Sequence, residues 1–431
     1  MTFRSSIKKL IPSGLFTSVE PYGHLLEAVF YNLIYGFPAK NIKVIGVTGT
    51  SGKTSTSFLI ERMLHEAGYS VGLMTTVGFG IGTDIKSQTN TMTTVSVPEL
   101  MKRLKWMKSQ GVEWLVLETT SHALAQNRVW GIPYSLAVFT NLTHEHLDYH
   151  KTFENYRNAK RKLFKLVNKN TSGFQTGIIN IEDPSAELFA SDVNKHLYYG
   201  VGKGDLKASN LELKPSGSDF EARIEGDTYK IHTNLPGSFN IHNCLAAIGV
   251  GRTLGLSIDQ IEKGIAATQS VEGRMTRVDA GQDFDVIVDF AHTPDSFEKI
   301  FKDIKPLVKG KLSVVFGSPG RRDESKRAIQ GELAGRYCDE VIITEDDPRD
   351  IDPKEIMNQI AGGTEKAGKV RDKDLFLVDD RTEAIKFAIS RAQSGDTVLL
   401  LGKGHEKVIH RADGDQPWNE VEIASSAIAN R

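Results

Sequence analysis

The sequence predicts an α/β protein whose mostly parallel sheets are covered by helices on both faces. From about residue 41 onward, short apolar runs alternate with segments of helical periodicity. Most of these runs end in a polar or glycine-bearing segment, and the first is followed by a glycine-rich turn. Because ligands of open α/β sheets bind beyond the carboxyl ends of the strands, we expect the functional sites in these segments.

The first of these turns predicts a nucleotide site. The apolar run 44–47 leads into small residues at 49–52, Lys53 and Thr54 follow, and apolar side chains then recur at helical spacing over 59–64. In such a unit backbone N–H groups face an anion, Lys53 can reach terminal phosphates and the Thr54 hydroxyl can hold Mg²⁺. The alternative, an ordinary βα turn, does not explain a lysine at a helix N-terminus, where the helix dipole repels it.

The overall composition is that of a globular, enzyme-sized chain. With 431 residues and a formal net charge of −1, it has room for two or three domains and no basic field for nucleic acid. Cys244 and Cys338 are too few for a disulfide framework, and no apolar run approaches the ~20 residues of a membrane span. We therefore expect a cytoplasmic monomer that binds small molecules, does not bind nucleic acid and does not insert into membranes. The segment 25–34 is interpreted as an amphipathic helix packed on the next domain, with a membrane contact as the alternative.

Three segments are predicted along the chain. Residues 1–40 form a short helical lead-in, 41–278 a nucleotide-binding domain and 279–431 a second α/β domain with its own site. Short alternating runs at 196–234 are interpreted as a small antiparallel addition. The strands predicted for the second domain are 286–288, 312–316, 341–343 and 398–401, separated by helices near 300, 330, 358 and 387.

Polar residues at the end of the run 114–117 suggest metal and substrate contacts. Glu118 lies in the same domain as the glycine-rich turn, where it can bind Mg²⁺ directly or through another ligand; a solvated glutamate is the alternative. Thr120, Gln126 and Arg128 could hydrogen-bond a polar substrate, or else form a helix cap followed by surface residues.

A histidine-rich segment follows the next strand. His144, His146 and His150 do not have the HExxH spacing of a zinc site, but one neutral histidine beside carboxylates can bind Mg²⁺ or Mn²⁺. Ordinary hydrogen-bonded histidines are the alternative. By spacing alone, Lys160 is one more lysine on a basic helix.

Charged residues also cluster at the strand ends of the second domain. Asp289 ends a buried strand, Arg274 could bridge phosphates, and the cations around Arg322 and Arg349 are numerous enough to hold carboxylates bidentately. Taken singly, each residue is better explained as a solvated charge, but their clustering at strand ends favours a binding site.

Ten motifs, in order along 41–420, resemble those of the Mur ligase family, and within it those of the MurE-type UDP-N-acetylmuramoyl-tripeptide synthetases. GTSGKT at 49–54 is similar to the family's GTNGKT, with Ser51 at the usual Asn. The other nine are ETTSHALAQNRV (118–129), FTNLTHEHLDYH (139–150), YRNAKRKLF (156–164), LPGSFNIHNCLAA (235–247), GRM (273–275), DFAHTPD (289–295), GRRDESKR (320–327), DDPR (346–349) and GKGHE (402–406).

The resemblance implies the roles of individual residues. It implies ATP and two Mg²⁺ ions, with Lys160 carbamylated and so converted from a cation into an anionic metal ligand. The implied catalytic residues are Lys53, Glu118, His146 and Lys160, and the implied metal ligands are Thr54, Glu118, His146 and Lys160. The implied ATP contacts are Gly49, Thr50, Ser51, Gly52, Lys53, Thr54, Asn240, Asn243, Arg274 and Asp289. The implied muramoyl-peptide contacts are Thr93, Thr94, Thr120, Gln126 and Arg128. The implied amino-acid contacts are Arg322, Asp346, Asp347, Arg349, Gly402 and Glu406.

The resemblance also implies an architecture and a reaction. A central phosphate-loop domain and a C-terminal Rossmann-like domain would follow a truncated N-terminal domain. ATP would activate the terminal carboxylate of UDP-MurNAc-L-Ala-D-Glu as an acyl phosphate, and the amine of a diamino acid would attack it, in cytoplasmic peptidoglycan precursor synthesis.

Two departures from the family pattern keep alternatives open. About 40 residues precede the first strand, so a non-UDP acceptor, lipid-linked or polyglutamyl, is an alternative, as is a non-catalytic nucleotide-binding partner. The DDPR motif differs from the DNPR of diaminopimelate-adding members. Arg349 favours meso-diaminopimelate over L-lysine because it can pair with the distal carboxylate, whereas Asp347 adds a negative charge.

Overall fold

The computed structural model describes residues 13–88, 92–214 and 216–431. These residues form two compact units. The first contains the described residues up to Leu211 together with Asp219–His232 and Ile241–Thr268, and the second contains the rest. The domain limits predicted after residues 40 and 278 stay predictions, and the first twelve residues of the predicted lead-in lie outside the described part.

An eleven-stranded sheet forms the framework of the first unit, in the order β11-β10-β9-β8-β7-β6-β1-β5-β2-β3-β4. Its strands are β1 (Lys43–Thr48), β2 (Val71–Met74), β3 (Gly78–Ile81), β4 (Asp84–Ser87), β5 (Trp114–Glu118), β6 (Tyr134–Phe139), β7 (Thr176–Asn180), β8 (Lys195–Gly200), β9 (Leu206–Lys214), β10 (Gly217–Ile224) and β11 (Asp227–Thr233). The described helices between residues 13 and 266 are α1 (Ser13–Tyr35), α2 (Lys53–Glu66), α3 (Val97–Ser109), α4 (Ser121–Ala125), α5 (Leu147–His150), α6 (Phe153–Lys169), α7 (Ala186–Ala190), α8 (Ser238–Thr253) and α9 (Ile258–Ala266).

The centre of this sheet is parallel and fully buried. β1 pairs in parallel with β5 on one side and with β6 on the other, and all three strands are apolar runs, as central parallel strands require. Gly46 is needed in β1 because a Cβ there would lie 2.7 Å from Leu163 and 2.8 Å from Tyr134. The end of β1, where the phosphate loop begins, is therefore held between two neighbouring strand ends.

The prediction of a small antiparallel addition at 196–234 is wrong for β8 and for the start of β9. β8 pairs in parallel with β7, and β9 pairs in parallel with β8 where Tyr199 and Gly200 meet Leu206 and Lys207. For the first of these pairs the reason is the short helix α7 between β7 and β8, which buries Phe189 and acts as the crossover that a parallel pair needs. These strands extend the large sheet.

The second unit contains a six-stranded sheet in the order β12-β13-β17-β14-β15-β16. β12 is antiparallel to β13, and the other pairs are parallel. The strands are β12 (Thr276–Val278), β13 (Asp285–Asp289), β14 (Leu312–Phe316), β15 (Glu340–Ile343), β16 (Leu375–Leu377) and β17 (Thr397–Leu401), and a separate hairpin pairs β18 (Val408–Arg411) with β19 (Gly414–Pro417). The helices are α10 (Pro294–Ile304), α11 (Ser325–Tyr337), α12 (Pro353–Lys366), α13 (Arg381–Arg391) and α14 (Glu420–Ala429), with a 3₁₀ turn at Lys305–Leu307.

Helices cover both faces of this second sheet, as predicted. Alternate residues of β14 point to opposite sides, so that Phe316 packs with Phe297 of α10 while Val315 packs with Ile385 of α13. α10 begins with a capping box in which Thr293 and Ser296 satisfy each other's backbone N–H groups. The four predicted strands and four predicted helices are all present, whereas β12, β16, the β18–β19 hairpin and α14 were not predicted. Within the described part of the chain, no helix is both long and apolar enough to cross a membrane.

One buried carboxyl group in α2 makes a testable difference to stability. Glu61 is fully buried, and neither of its carboxyl oxygens has a hydrogen-bond partner among the described residues. Burial raises its pKa from 4.5 to about 8. The folded state therefore holds this proton more tightly than the unfolded state, and this contribution to stability falls as the pH rises from about 4.5 to about 8.

We expect Glu61→Gln to be more stable than the parent chain at pH 8, by up to about 4 kcal/mol, and nearly equal to it at pH 4.5. Thermal unfolding at both pH values measures this difference. Glu66→Gln, which changes an exposed glutamate of the same helix, is the matched control and should have a much smaller effect, because it removes only the minor repulsion between Glu66 and the Glu61 carboxylate. Equal pH dependence of the parent and Glu61→Gln would show that this carboxyl group is not the cause.

Candidate active site

The glycine-rich turn between β1 and α2 is shaped by two close approaches. Gly49 and Gly52 both have positive φ, at 152° and 83°. A Cβ at Gly49 would collide with the Thr140 hydroxyl, and one at Gly52 would lie 2.5 Å from Oδ1 of Asn243. Only glycine fits these positions without displacing a neighbour. The turn is thus a tight backbone loop at a helix N-terminus, the geometry that binds phosphate.

The strand end next to the loop fixes the loop's shape. Asn141, which follows β6, accepts a hydrogen bond from the Ser51 N–H (2.9 Å) and donates one to the Ser51 carbonyl (3.0 Å). The Thr140 hydroxyl donates to the same carbonyl at 2.7 Å. We did not single out Thr140 and Asn141 as site residues. Their position, just beyond a parallel strand adjacent to β1, is the signal that could have identified them.

Lys53, Thr54 and Glu118 meet beside this loop. The Thr54 hydroxyl donates to Oε2 of Glu118 at 2.9 Å, and Lys53 Nζ lies 4.0 Å from Oε1 of the same carboxylate. Lys53 Nζ also donates to the Thr50 carbonyl at 2.8 Å. The Glu118 side chain is 2% exposed, so this acidic group is almost completely removed from water. The structure therefore brings together the three residues that the sequence placed at the nucleotide site.

Thr76 completes the environment of Glu118 and was missed by the sequence analysis. Its N–H donates to Oε2 (3.0 Å) and its hydroxyl donates to Oε1 (3.1 Å), so both carboxylate oxygens are oriented. Thr76 lies just beyond β2, at the same edge of the sheet. A hydroxyl and a carboxylate at this edge are the hard oxygen donors that Mg²⁺ prefers, so the donor set fits that ion.

Lys160 lies on α6 and is buried against the loop. Its Nζ donates to the Gly49 carbonyl at 2.6 Å and lies 4.7 Å from the centre of the Tyr156 ring. Burial, and secondarily the charge of Lys53, lower the pKa of Lys160 well below its usual value. The spacing of the sequence could not identify this lysine, because only the fold places it under Gly49.

The predicted metal ligand His146 lies at the rim of the same region. It has a positive φ of 56°, and its side chain is 41% exposed. Its Nε2 lies 3.7 Å from Glu145, and its ring centre lies 4.7 Å from that of His122 and 6.1 Å from that of Tyr156. Tyr156 thus neighbours both His146 and Lys160. The role of His146 as a metal ligand stays a prediction.

The five residues expected to contact the muramoyl peptide form one hydrogen-bonded network with Glu118. The hydroxyls of Thr93 and Thr76 are hydrogen-bonded at 2.9 Å, and Thr94 donates to the Glu118 carbonyl (3.1 Å) and is hydrogen-bonded to the Thr120 hydroxyl (3.1 Å). The other two residues, Gln126 and Arg128, are joined by a hydrogen bond from Nε of Arg128 to Oε1 of Gln126 at 2.9 Å. Because Arg128 is 5% exposed and donates to the carbonyls of residues 94 and 95, it braces this segment.

In the second unit, three carboxylates converge on one buried lysine. Lys403 Nζ lies 2.7 Å from Glu406, 2.8 Å from Asp347 and 3.9 Å from Asp346. Burial lowers the pKa of Lys403, but the three carboxylates outweigh this effect and raise it overall. These carboxylates are close enough together to hold a metal ion, yet the Lys403 ammonium already compensates their charge. Lys403 belongs to the GKGHE motif, but we did not predict it as a site residue. Its position between Gly402 and Glu406, which were predicted, could have identified it.

The other residues predicted for this unit are distributed around that cluster. Gly402 has a φ of 108°, and a Cβ there would lie 2.7 Å from Oδ2 of Asp346. Arg349 donates to the Gly320 carbonyl at 3.2 Å, whereas Arg322 is exposed. These positions are compatible with amino-acid binding, which stays a prediction.

The predicted nucleotide contacts of this unit have structural partners. Buried Asp289 accepts hydrogen bonds from the N–H groups of Met275 and Ala291, both at 2.7 Å, and burial raises its pKa. The Arg274 guanidinium lies 4.6 Å from the centre of the Phe290 ring. Asn240 donates to the Pro236 carbonyl at 2.7 Å. Each side chain is held in place by its neighbours, and the ATP contacts stay predictions.

Sequence comparison identifies the class of protein to which this fold and phosphate loop belong. Residues 47–251 match the Mur ligase middle domain, and residues 273–404 match the glutamate ligase domain of Mur ligases. The chain belongs to the Mur ligase family, whose members are ATP-dependent ligases that form amide bonds.

Its relatives within the family are tripeptide synthetases of the MurE type. The UDP-N-acetylmuramyl-tripeptide synthetase of Roseiflexus sp. (strain RS-1) is 40% identical over 407 residues, which cover 92% of this chain and 80% of the relative. The UDP-N-acetylmuramoyl-L-alanyl-D-glutamate--2,6-diaminopimelate ligase of Geobacillus thermodenitrificans (strain NG80-2) is 38% identical, covering 96% and 84%. The resemblance found in the motifs is confirmed.

Solved structures confirm the fold class. A UDP-N-acetylmuramoyl-L-alanyl-D-glutamate--2,6-diaminopimelate ligase matches with a TM-score of 0.66 and 29% identity, covering 96% of this chain and 83% of that one. A folylpolyglutamate synthase of Mycobacterium tuberculosis matches with a TM-score of 0.71 at 16% identity, covering 94% of each chain, which shows the shared fold alone.

Proposed function

We propose that this ligase joins a diamino acid to the terminal carboxylate of UDP-MurNAc-L-Ala-D-Glu, with meso-diaminopimelate favoured over L-lysine. The names of the relatives support the substrate class. The observation that carries the proposal is the meeting of Lys53, Thr54 and Glu118 beside the phosphate loop, next to the network of threonines assigned to the acceptor.

The chain's own residues divide the work of the reaction. The loop amides and Lys53 would hold the phosphates of ATP, and Thr54 and Glu118 would hold Mg²⁺, which would supply positive charge to the phosphates. Lys53 is now bound to the Thr50 carbonyl, a neutral acceptor that it can exchange for a phosphate oxygen. Buried Thr94 and half-buried Thr120 orient the acceptor carboxylate for phosphoryl transfer. Positioning and charge compensation are the main contributions, because the reaction needs little side-chain proton transfer.

Lys160 acts in this proposal as a carbamate. Its lowered pKa favours the neutral amine, which attacks CO₂, forms an N–C bond and releases a proton. The product is an anion adjacent to Lys53, so the repulsion between two lysines becomes an attraction. A buried carbamate is also an oxygen ligand suited to a second Mg²⁺, with His146 as a further ligand.

The charge pattern of the second unit supports a diamino acid with a distal carboxylate. Oδ1 of Asp347 accepts hydrogen bonds from Lys403 (2.8 Å) and from the His410 N–H (2.9 Å), so part of its negative charge is compensated within the chain. Arg349 then remains a cation available for an incoming carboxylate, as the resemblance implies. This partial compensation supports meso-diaminopimelate despite the extra charge of Asp347.

Phosphate release from ATP tests the function directly. We expect release to require both UDP-MurNAc-L-Ala-D-Glu and an amino acid, and the product to gain the mass of one diamino acid. meso-Diaminopimelate should give a kcat/KM at least about tenfold above that of L-lysine, because L-lysine leaves the half-buried Arg349 without a carboxylate partner. ADP-forming turnover with a lipid-linked or polyglutamyl acceptor, and none with the UDP-linked one, would contradict the proposed acceptor.

A further inference from the structure

Helix α1 has two faces of opposite environment. On one face Ala28 and Asn32 are completely buried, and Nδ2 of Asn32 donates to the Trp130 carbonyl at 3.1 Å. The opposite face carries large apolar side chains that are open to solvent. We call these residues the exposed stripe: Tyr22 (68% exposed), Leu26 (71%), Phe30 (57%), Leu33 (63%), Ile34 (59%) and Phe37 (36%), the last just beyond the helix.

The exposed stripe is large for the surface of a globular protein. Its residues recur every three or four positions, so they lie along one side of the helix. Together they expose on the order of 700 Å² of mostly apolar surface, more than the largest patch of a typical monomer. A helix that is apolar on opposite faces is normally covered on both. The exposed stripe is therefore a surface that a second apolar surface can cover.

The charges around the stripe indicate the chemistry of this partner. Lys102, Lys105 and Lys108 are exposed at every third position of α3, and Lys105 Nζ lies 5.5 Å from the centre of the Tyr35 ring on α1. Exposed Lys40 follows the end of α1. Among the described residues, no carboxylate forms an ion pair with any of these four lysines. A row of uncompensated cations thus runs beside the apolar stripe.

The acidic residues of α1 are already engaged. Glu20 and Glu27 lie on either side of His24, at 3.8 Å and 3.3 Å from its ring nitrogens. Both carboxylates are less than a quarter exposed.

We propose that the exposed stripe and the lysine row dock this ligase on the surface of a bilayer that contains anionic lipids. Helices that lie in the bilayer interface combine an apolar face with flanking cations. Aromatic side chains favour the same depth, and here Trp130, which is 37% exposed and 6.5 Å from Phe37, adds to Tyr22 and Phe30.

A second copy of the chain fits the same surface less well. In a two-fold pair each copy presents the same patch to the other, so both lysine rows would lie at the rim of one interface and repel each other. Anionic headgroups instead complement those lysines.

Co-sedimentation of the full chain with vesicles tests the proposal. We expect binding to vesicles of phosphatidylcholine mixed with phosphatidylglycerol, weaker binding to phosphatidylcholine alone, and a loss of binding as salt is raised. The double variant Leu26→Ser, Phe30→Ser should bind at least about tenfold more weakly, because two apolar anchors are removed. The triple variant Lys102→Gln, Lys105→Gln, Lys108→Gln should lose about tenfold on the anionic vesicles only.

A matched control removes exposed apolar residues elsewhere. Ile329→Ser with Val370→Ser changes side chains that are 49% and 52% exposed in the second unit, and it should leave vesicle binding unchanged. All variants should keep the parent circular dichroism spectrum, since every changed residue is exposed. No binding to either vesicle, or equal binding of the parent and the Leu26→Ser, Phe30→Ser variant, would overturn the proposal. A dimer in sedimentation velocity that this variant abolishes, without vesicle binding, would assign the stripe to a second copy instead.

Discussion

Replacing Lys160 with alanine is expected to lower kcat by roughly 10³-fold, the effect of removing one preorganised charge-stabilising group from an active site. The reason is the position of Lys160 under the loop, where Nζ contacts the Gly49 carbonyl and where a carbamate would face Lys53. Phosphate release with saturating substrates measures this loss. Because Lys160 is buried, circular dichroism must show that the variant still folds.

Two further measurements separate a carbamate from a merely structural lysine. The parent enzyme should lose activity when CO₂ is removed and regain it with bicarbonate, and a ¹³C carbamate signal should appear with labelled bicarbonate. A short carboxylic acid should restore part of the activity of Lys160→Ala. The matched control is Lys165→Ala, which changes an exposed lysine of the same helix and should keep full activity. Activity of the parent that does not depend on CO₂ would contradict the carbamate.

Replacing Arg381 with methionine is expected to destabilise the second unit by about 3–5 kcal/mol. Arg381 and Glu420 form an ion pair with an N–O distance of 2.6 Å, and both side chains are completely buried. Removing the arginine leaves the Glu420 carboxylate buried, with the Trp418 indole N–H (2.7 Å) as its remaining hydrogen-bond donor in the described structure. The Leu401 carbonyl also loses the hydrogen bond that Arg381 donates at 2.8 Å.

Urea unfolding followed by circular dichroism measures this loss as a lower transition midpoint. The control Arg371→Met removes an exposed ion pair with Glu365, with an N–O distance of 2.6 Å, and should cost less than about 1 kcal/mol. Adding Glu420→Gln to Arg381→Met should recover part of the stability, because the uncompensated charge is then gone. An equal loss of unfolding free energy in Arg381→Met and Arg371→Met would show that the buried ion pair does not stabilise the protein more than the exposed one.

Several features of this protein follow from local sequence alone. The loop at 49–54 is readable because a phosphate-binding turn needs glycines, a lysine and a hydroxyl within six consecutive residues. Glu118 and Asp289 were identified because each follows a continuous apolar run, and such runs are typical of buried parallel strands. The alternation of strands and helices in the second unit was equally visible, because each element shows its own periodicity.

Other features depend on residues far apart in the chain. Lys160 is ordinary on its helix and becomes distinctive only where it meets Gly49. Thr76 and Asn141 orient the Glu118 carboxylate and the Ser51 backbone, respectively, through contacts that no spacing rule describes. The burial that shifts the pKa of Lys160 is likewise a property of the folded protein.

The sequence by itself therefore determined the family, the α/β class and the nucleotide loop, because these depend on short-range pattern and backbone conformation. Only the tertiary structure decided that β8 continues the parallel sheet, that Lys403 lies among three carboxylates and that one face of α1 exposes large apolar side chains. Burial and pairing are set by which distant segments meet, and this information is not contained in any local stretch of the chain.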